Sequence, residues 1–482
     1  MHCCFGIIQK GLPRNSRITG IELTLDTEDT EREEKPLNKQ VLTNFINEPA
    51  RQIPILDETD VLVVGGGPAG IGASLAAARE GAKTMLLERY GFLGGCSTIS
   101  SVTTICGLYR VESGKPIPII KGIAWEVVEK LRQLGSVTGP KPVGRSFLVI
   151  FDDNRLKEVA DDMVVESNVK VLYHALAADV VIQGNEVKGV IIESKRGREA
   201  IISKIVIDAT GDGDIAARAG VPYQRGDNGV LQYPTLMFKM NRVDIENEKQ
   251  IPRDVFERTM REVYEKGEFK LPRLSGSPRL TPQSGEVICN LTRISRESDH
   301  PYIDGTDPRD LTYAEIEGRK QVRLYEAFLK KHIHGFEEAY VSQSGPQIGI
   351  RETRLIQGEF VLGKDDILSG KKADDGILRS SWPLEIHGSD KKTTWVWLSE
   401  GNYYEIPYRC LVPLQVENLL IAGRCISTTH EAQASTRVSA CCYGTGQAAG
   451  TAAALAVEKG IVPRKVNVVE LQRRLKSRGC LI

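Results

Sequence analysis

The chain has no surplus of charge. Lysine plus arginine and aspartate plus glutamate both number 63, so nothing in the balance favours nucleic acid or an anionic membrane surface as a partner. No apolar run reaches about 18 residues, so no membrane span is expected. The opening MHCCFGIIQKGLPRN lacks a hydrophobic core and cleavage site, so an export leader is not expected either. Ten cysteines are scattered without a C-x-x-C pair or a regular spacing. That argues against a disulfide framework, an iron–sulfur cluster or a zinc site, and it suits reduced thiols in a cytoplasm. No metal-ligand set is expected. Hydrophobic content of 41% and charged content of 26% fit a soluble globular protein, and 482 residues call for two or three structural units.

Against these absences stands one dense stretch, Asp60 to Glu88, DVLVVGGGPAGIGASLAAAREGAKTMLLE. Asp60–Val64 reads as a short buried strand, Ile71–Glu80 as an alanine-rich helix and Lys83–Glu88 as a second strand. Gly65, Gly67 and Gly70 fit G-x-G-x-x-G. The first glycine permits the tight turn, the second lets backbone approach a pyrophosphate, and the third lets helix and strand pack closely. The helix start offers free N–H groups and a positive dipole to phosphates. Glu88, 23 positions after Gly65, ends the second strand where a carboxylate can accept from both ribose hydroxyls. Together these predict a dinucleotide site.

Along the chain, residues 1–50 are poorly patterned, with a charge run at Asp26–Lys35. After Glu88, Gly91, Gly94 and Gly95 let a loop pass close to something bulky, which the position after the ribose-binding strand predicts to be the rest of the dinucleotide. Cys96 in that loop is either redox-active or simply a small loop residue. Residues 119–134 and 153–166 read as helices, and Lys170–Tyr173 as a third parallel strand. Ala178–Gln183, Glu186–Glu193 and Ala200–Ile202 alternate across tight turns as a β-meander. Lys204–Asp208 is a further strand running into ATGDGDIAARAG. There Gly211, Gly213 and Ala216 match G-x-G-x-x-A, but no second strand ending on an acidic residue follows. The loop is expected to touch the first cofactor, with Asp212 and Asp214 at a helix start. Residues 223–405 change character and read as an insertion, with helices at 253–266 and 312–332. Within it Arg351, Glu352, Arg354 and Glu359 form either surface ion pairs or an anion-binding, flavin-edge cluster. Asn418–Ala422 is again a buried parallel-type strand, and a helix of small residues is expected from about Thr445.

Several stretches carry a resemblance: EPARxIPI (48–55), ERYGFLGG (88–95), IDATGDGD (207–214), IRETRLIQGE (350–359) and STRVS…GQAAGTAAALA (435–456). The chain resembles the bacterial FAD-dependent oxidoreductase family, with a glutathione-reductase-type FAD fold related to the fumarate reductase and succinate dehydrogenase flavoproteins. The resemblance spans about residues 48–460. It implies an α/β chain: a Rossmann-like FAD-binding domain with a β-meander, plus an inserted α+β substrate domain. The expected bounds are a 1–50 extension, FAD-binding parts at 51–222 and 406–482, and a substrate or cap domain at 223–405. It implies that Gly65, Gly67, Pro68, Ala69 and Gly70 contact the pyrophosphate, that Glu88 holds the ribose and that Arg89 lies beside the adenine. Gly94, Gly95 and Cys96 would lie near the ribityl chain and isoalloxazine. The backbone of Ala178 would meet the adenine, Thr210, Gly211 and Asp212 would border the pyrophosphate, and Gly423 and Arg424 would line the phosphates. Gly446 and Gln447 would present a helix N-terminus to the flavin pyrimidine, where reduced flavin carries negative charge.

The expectation is therefore a flavoenzyme passing hydride between a small, anionic organic substrate and noncovalent FAD. The candidate catalytic residues are His430, Arg437, Arg351, Glu352 and Arg354, with His430 suited to acid or base work near neutral pH. Rival readings are a fumarate-reductase-like enoate reductase and a non-catalytic FAD-binding electron-transfer subunit. A homodimer is the default expectation for assembly. The substrate and the electron acceptor are not written in the sequence.

Overall fold

Val61–Val64, all buried, lie inside a seven-stranded sheet. They end a strand, Ile55–Val64, that pairs in parallel with Thr84–Leu87 on one side and Gly197–Asp208 on the other. Lys170–Leu172 extends the sheet beyond Thr84–Leu87, and Leu419–Ile421 closes it beyond Gly197–Asp208. Near-continuous apolar runs are what strands buried on both faces require. The computed structural model describes residues 48–244, 252–297, 300–388 and 391–482. The charge run Asp26–Lys35 lies outside the described residues. Residues 53–482 form one compact unit, and the unit that runs to Gln52 is described only from residue 48.

Two strands expected at Ala200–Ile202 and Lys204–Asp208 are one continuous strand of 12 residues, Gly197–Asp208. Its outer edge is shared. The first half pairs antiparallel with Glu186–Ser194, which pairs in turn with Leu176–Gln183 as the expected meander. The last three residues, Val206–Asp208, pair in parallel with Leu419–Ile421.

The helix Pro68–Arg79 starts on proline, whose missing N–H is one of the orphans of a helix start anyway. It packs against the long helix Ser439–Lys459 at a very short distance. A Cβ on Gly446 would lie 2.0 Å from the Ala69 carbonyl oxygen, and one on Gly450 2.1 Å from that of Ala73. The small residues of both helices are therefore a packing requirement. The long helix begins at Ser439, not near Thr445, so Gly446 and Gln447 sit two turns inside it and do not present its N-terminus.

A second apolar core lies between Leu236 and Ile350. A four-stranded antiparallel sheet, in the order Arg279–Leu280, Val287–Cys289, Phe238–Asn241 and Tyr340–Ser344, packs there with helices Arg253–Glu265 and Pro308–His332. The return to the first core comes earlier than the expected bound of 405. Leu362, Ile377, Trp382, Leu384 and Ile406 all pack with the helices and strands of the first sheet. A buried ion pair ties the second sheet to the first core: Lys239 Nζ lies 2.8 Å from Asp153 Oδ1, and Ser101 Oγ donates to the other oxygen of that carboxylate.

Candidate functional site

The C-terminal ends of the parallel strands open onto a cavity that reaches into the second core and holds about 2280 Å3 free of protein atoms, open mouth included. The fingerprint turn forms one end of it. Gly65 sits at φ +100°, and a Cβ there would lie 2.6 Å from the Ala209 carbonyl oxygen. Gly70 packs against that same turn: its Cβ would meet the Gly65 oxygen at 1.7 Å. Gly67 differs, because the nearest protein atom to a Cβ there is Gly95 Cα at 3.7 Å. Its open side faces the cavity, as a backbone that must approach a ligand requires. Pro68, Ala69 and Gly95 line the cavity beside it, and so does Cys96, whose thiol is not in a disulfide.

Glu88 is buried on the cavity wall. Its Oε2 accepts from Gly66 N at 2.8 Å and its Oε1 from Tyr90 N at 2.9 Å, and burial pushes its carboxyl above the ordinary range. Each oxygen keeps a lone pair for a ligand hydroxyl. Arg89 lines the wall next to it. Gly94 does not line the cavity. It sits at φ +111°, donates to the Gly66 oxygen at 2.8 Å and braces the loop. The strand backbone at the cavity is Ala175–Ala177. Ala178 is one residue too far, and its carbonyl accepts from Arg218 Nε at 2.6 Å.

Three motifs distant in sequence meet across the sheet. Fully buried Asp208 accepts from Thr210 N and Oγ1, Ile215 N and Ala216 N, which fixes the ATGDGD turn. Asp212 Oδ1 accepts from Thr353 Oγ1 and from Arg424 Nη2, both at 2.9 Å, and Arg424 Nη1 donates to the Ile350 oxygen. Thr210, Gly211, Asp212, Gly423 and Arg424 all face the cavity. The helix after the second glycine motif is only Asp214–Arg218, and its loop faces the same cavity as the first motif.

The N-terminus of the Ser439–Lys459 helix also points into the cavity, through Arg437, Val438 and Ser439. First-turn N–H groups lack intrahelical acceptors, so this end is the anion-favouring feature expected of Gly446 and Gln447, moved two turns earlier. Gln447 faces elsewhere, with its Oε1 accepting from Ile123 N at 2.9 Å.

The opposite end of the cavity is dominated by guanidinium groups. Arg273, Arg279, Arg351 and Arg437 line it, with Glu385 and His387. Arg351 Nη1 donates to the Tyr233 oxygen at 2.5 Å, and its Nη2 lies 3.4 Å from Asn290 Oδ1. Arg273 donates to Ser275 Oγ, the Asn290 oxygen and Thr393 Oγ1. Arg437 Nη2 lies 3.8 Å from Glu385 Oε2, and its buried Nε has no partner. Burial, then the neighbouring Arg437 and Arg273, push the Arg351 guanidinium well below its usual range. Burial, then Arg351, likewise pull His387 well below 6.5, so its imidazole is neutral. Its Nε2 lies 3.4 Å from Glu385 Oε1, and its Nδ1 lies 3.4 Å from Thr393 Oγ1. Trp382 and Trp395 supply an apolar wall, edge to face at 6.0 Å.

Of the five catalytic candidates, Arg351 and Arg437 reach this end and three do not. His430 Nδ1 bonds both oxygens of fully buried Glu352 at 2.9 and 2.8 Å, away from the cavity. Arg354 pairs with Asp214 Oδ1 at 2.8 Å and donates to the Asp212 oxygen. The IRETR stretch is thus neither a surface face nor a single cluster, since of its charged residues only Arg351 lines the cavity. Arg273, Arg279, Glu385 and His387 were not singled out in the sequence, where each is an isolated charged or polar residue.

Among the described residues, no helix is long and apolar enough to cross a membrane, and no group of three or more His, Cys, Asp or Glu is placed to hold a metal. Comparison with curated proteins finds a thiamine thiazole synthase from Methanococcus aeolicus, 27% identical over 205 residues, covering 38% of this chain and 72% of that protein. The corresponding synthase of Methanococcus vannielii is 28% identical, and only 57% of it is covered. A tRNA uridine 5-carboxymethylaminomethyl modification enzyme from Alkaliphilus metalliredigens is 31% identical over 191 residues, covering 38% of this chain and 29% of the enzyme. Among solved structures, a geranylgeranyl bacteriochlorophyll reductase-like protein from Thermoplasma acidophilum covers 88% of this chain and 82% of its own, at 13% identity and a TM-score of 0.43. L-proline dehydrogenase from P. horikoshii covers 89% and 100%, at 14% identity and a TM-score of 0.39. The family described as FAD dependent oxidoreductase matches residues 60–475, and the chain belongs to it.

Proposed function

We propose that this FAD-dependent oxidoreductase acts on a small organic anion, bound between the Ser439 helix start and the second core, with FAD held noncovalently. The observation that carries the reading is the charge at that end of the cavity: five guanidiniums, Arg253, Arg273, Arg279, Arg351 and Arg437, line it with one carboxylate, Glu385. Buried charges need partners, and a substrate anion would supply one. Noncovalent binding is supported by the lining of the cavity from Gly65 to Arg424, which contains no histidine near the fingerprint turn.

The residues present fit the cofactor. The open side of Gly67, the guanidinium of Arg424 and the lone pairs of Glu88 suit a pyrophosphate and a ribose. Bound there, FAD supplies a two-electron carrier able to exchange a hydride with the substrate. The chain's own groups do the rest. Arg273 and Arg351, linked through Asn290, hold the anionic end of the substrate by charge-assisted hydrogen bonds. His387, neutral and with Nε2–H turned towards Glu385, keeps Nδ1 as a proton acceptor, and the Glu385 carboxylate stabilises the imidazolium that forms. Trp382 and Trp395 shield that end from water.

The test begins with the visible spectrum of the purified protein and the flavin released on denaturation. Anaerobic titration with carboxylates, phosphates and neutral analogues then follows bleaching. Bleaching by one class of anion is expected, and Arg351→Gln should raise its KM about 10- to 100-fold, the loss of one charged hydrogen bond. Bleaching by neutral compounds, with KM unchanged in the variant, would defeat the substrate reading. Flavin that stays with the denatured chain would defeat the noncovalent one.

A further inference from the structure

Arg279 differs from the other guanidiniums of the cavity in what it touches. Arg273 donates to Ser275, Asn290 and Thr393. Arg351 donates to the Tyr233 oxygen and to Asn290. Arg437 donates to the Glu385 backbone oxygen at 3.2 Å, and Arg253 pairs with Glu257 at 2.7 Å. The side chain of Arg279 forms no hydrogen bond and no ion pair among the described residues. It is half-buried, on a strand that pairs Arg279 in register with Ile288, and both residues line the cavity. Its charge is not uncompensated, because Glu385 acts on it as on Arg273 and Arg351. What it lacks is a hydrogen-bond acceptor. Glu385 is engaged elsewhere, its Oε2 accepting from Trp382 Nε1 at 3.3 Å and its Oε1 lying 3.4 Å from His387 Nε2. Burial pulls the Arg279 guanidinium below its usual range, the mark of a cation with little water around it. Five N–H donors in a fixed fork therefore stand open to a ligand.

Arg279 also stands apart from the Arg273 and Arg351 pair. Those two meet at one amide oxygen, Asn290 Oδ1, at 3.3 and 3.4 Å. The groups that act most on Arg279 are Cys106, Arg253 and Glu385, and neither Arg273 nor Arg351 is among them. The cavity thus presents two cationic positions, and an anionic group held by Arg273 and Arg351 leaves Arg279 open. We infer that Arg279 binds a second anionic group, so that the substrate is a small organic dianion with two separated charges. The fork of a guanidinium takes a carboxylate or a phosphate bidentately, which fixes orientation as well as charge. With both ends held, the bond between them is presented in one direction only. The inference rests on the anionic substrate proposed above and narrows its class.

The experiment is calorimetric titration of the full-length holoprotein, which needs no turnover. Malonate, glutarate and adipate are each compared with the monocarboxylate of equal chain length at constant ionic strength. One dianion should bind about 10- to 100-fold more tightly than its monoanion, the gain from one further charged hydrogen-bonded contact. Arg279→Gln should bring that dianion down to the affinity of its monoanion, whereas Arg351→Gln should weaken both. Arg279→Lys keeps the charge and loses the fork, so it should retain part of the gain. Phosphonoacetate stands beside malonate to identify the second group: a larger gain names a phosphate, a smaller one a carboxylate, and either supports the inference. Monoanions and dianions that bind equally well to the unmutated protein would overturn it and leave the anionic substrate standing. A dianion advantage that survives Arg279→Gln would overturn it too, because another residue then holds the second group. Failure of every anion to bind would defeat the substrate reading itself, and the inference with it.

Discussion

Gly67 and Gly70 lie three residues apart in one motif, and the structure assigns them opposite duties. Replacing each by alanine separates the two. At Gly67 the added methyl carbon meets no protein atom closer than 3.7 Å, and the backbone there, at φ −73°, is open to any residue. The apoprotein should therefore keep its stability to within about 0.5 kcal/mol. In the proposed FAD site the methyl would occupy the space through which a phosphate oxygen approaches the helix start, and displacing that oxygen would weaken a charge-assisted hydrogen bond worth about 1.5–3 kcal/mol. FAD should bind about 10- to 100-fold more weakly. At Gly70 the methyl carbon lands 1.7 Å from the Gly65 oxygen, so helix and turn must part. Overpacking of that kind costs about 1–3 kcal/mol, and it should lower the stability of the apoprotein itself. Urea unfolding of both apoproteins, with fluorescence titration of FAD, gives the four numbers needed. Wild-type FAD affinity in Gly67→Ala, or wild-type stability in Gly70→Ala, would refute the division of labour.

Other consequences are as direct. Removing the buried Lys239 charge with Lys239→Met strands Asp153, which is 1% exposed in its side chain, and should cost about 3–5 kcal/mol by chemical denaturation. Substituting Asp153→Leu in the same chain should recover part of that loss. Burial opposes the charge of His430, but the bond to Glu352 outweighs it and lifts its pKa above 6.5. Stability from this pair is therefore complete below pH 6.5 and lost as pH rises through the raised value, and His430→Asn should remove that slope while leaving the FAD spectrum unchanged. Burial pushes the Cys106 thiol to about 12, so although Cys106 lines the cavity, mass spectrometry should find it unmodified by iodoacetamide at pH 8 in the folded protein.

The FAD-binding half was legible in the sequence because its signals are local. A strand, a turn of fixed glycines, an alanine-rich helix and a terminal acid follow one another within Asp60–Glu88, and each has a physical reason to stand where it does. The fused strand was less legible. Ser203 and Lys204 interrupt the apolar pattern, yet Ser203 is buried, so the backbone continues through a gap that the side chains suggest. The start of the long helix was missed for a related reason. Ser439–Tyr443 contains few strong helix formers, and burial against the fingerprint helix and the second half of the fold decides its conformation instead. The arginine-rich end could not be read at all. Arg273, Arg279, Arg351 and Arg437 are brought together by the second core and the start of the Ser439–Lys459 helix, and no spacing in the chain encodes their meeting. His387 and His430 are equally solitary as letters, and only burial beside Glu385 or Glu352 separates a cavity histidine from a structural one.

The interlocked helices Pro68–Arg79 and Ser439–Lys459 set a schedule for biosynthesis. The glycines that let them touch lie almost 400 residues apart, so the first helix leaves the ribosome long before its partner exists. At about 5–20 residues per second, that interval is roughly 20–80 s. Through all of it the face of Pro68–Arg79 that packs on the long helix remains uncovered, and from its own synthesis onwards so does the edge of Gly197–Asp208 that awaits Leu419–Ile421. The dinucleotide site therefore cannot be completed until the Ser439–Lys459 helix has left the ribosome.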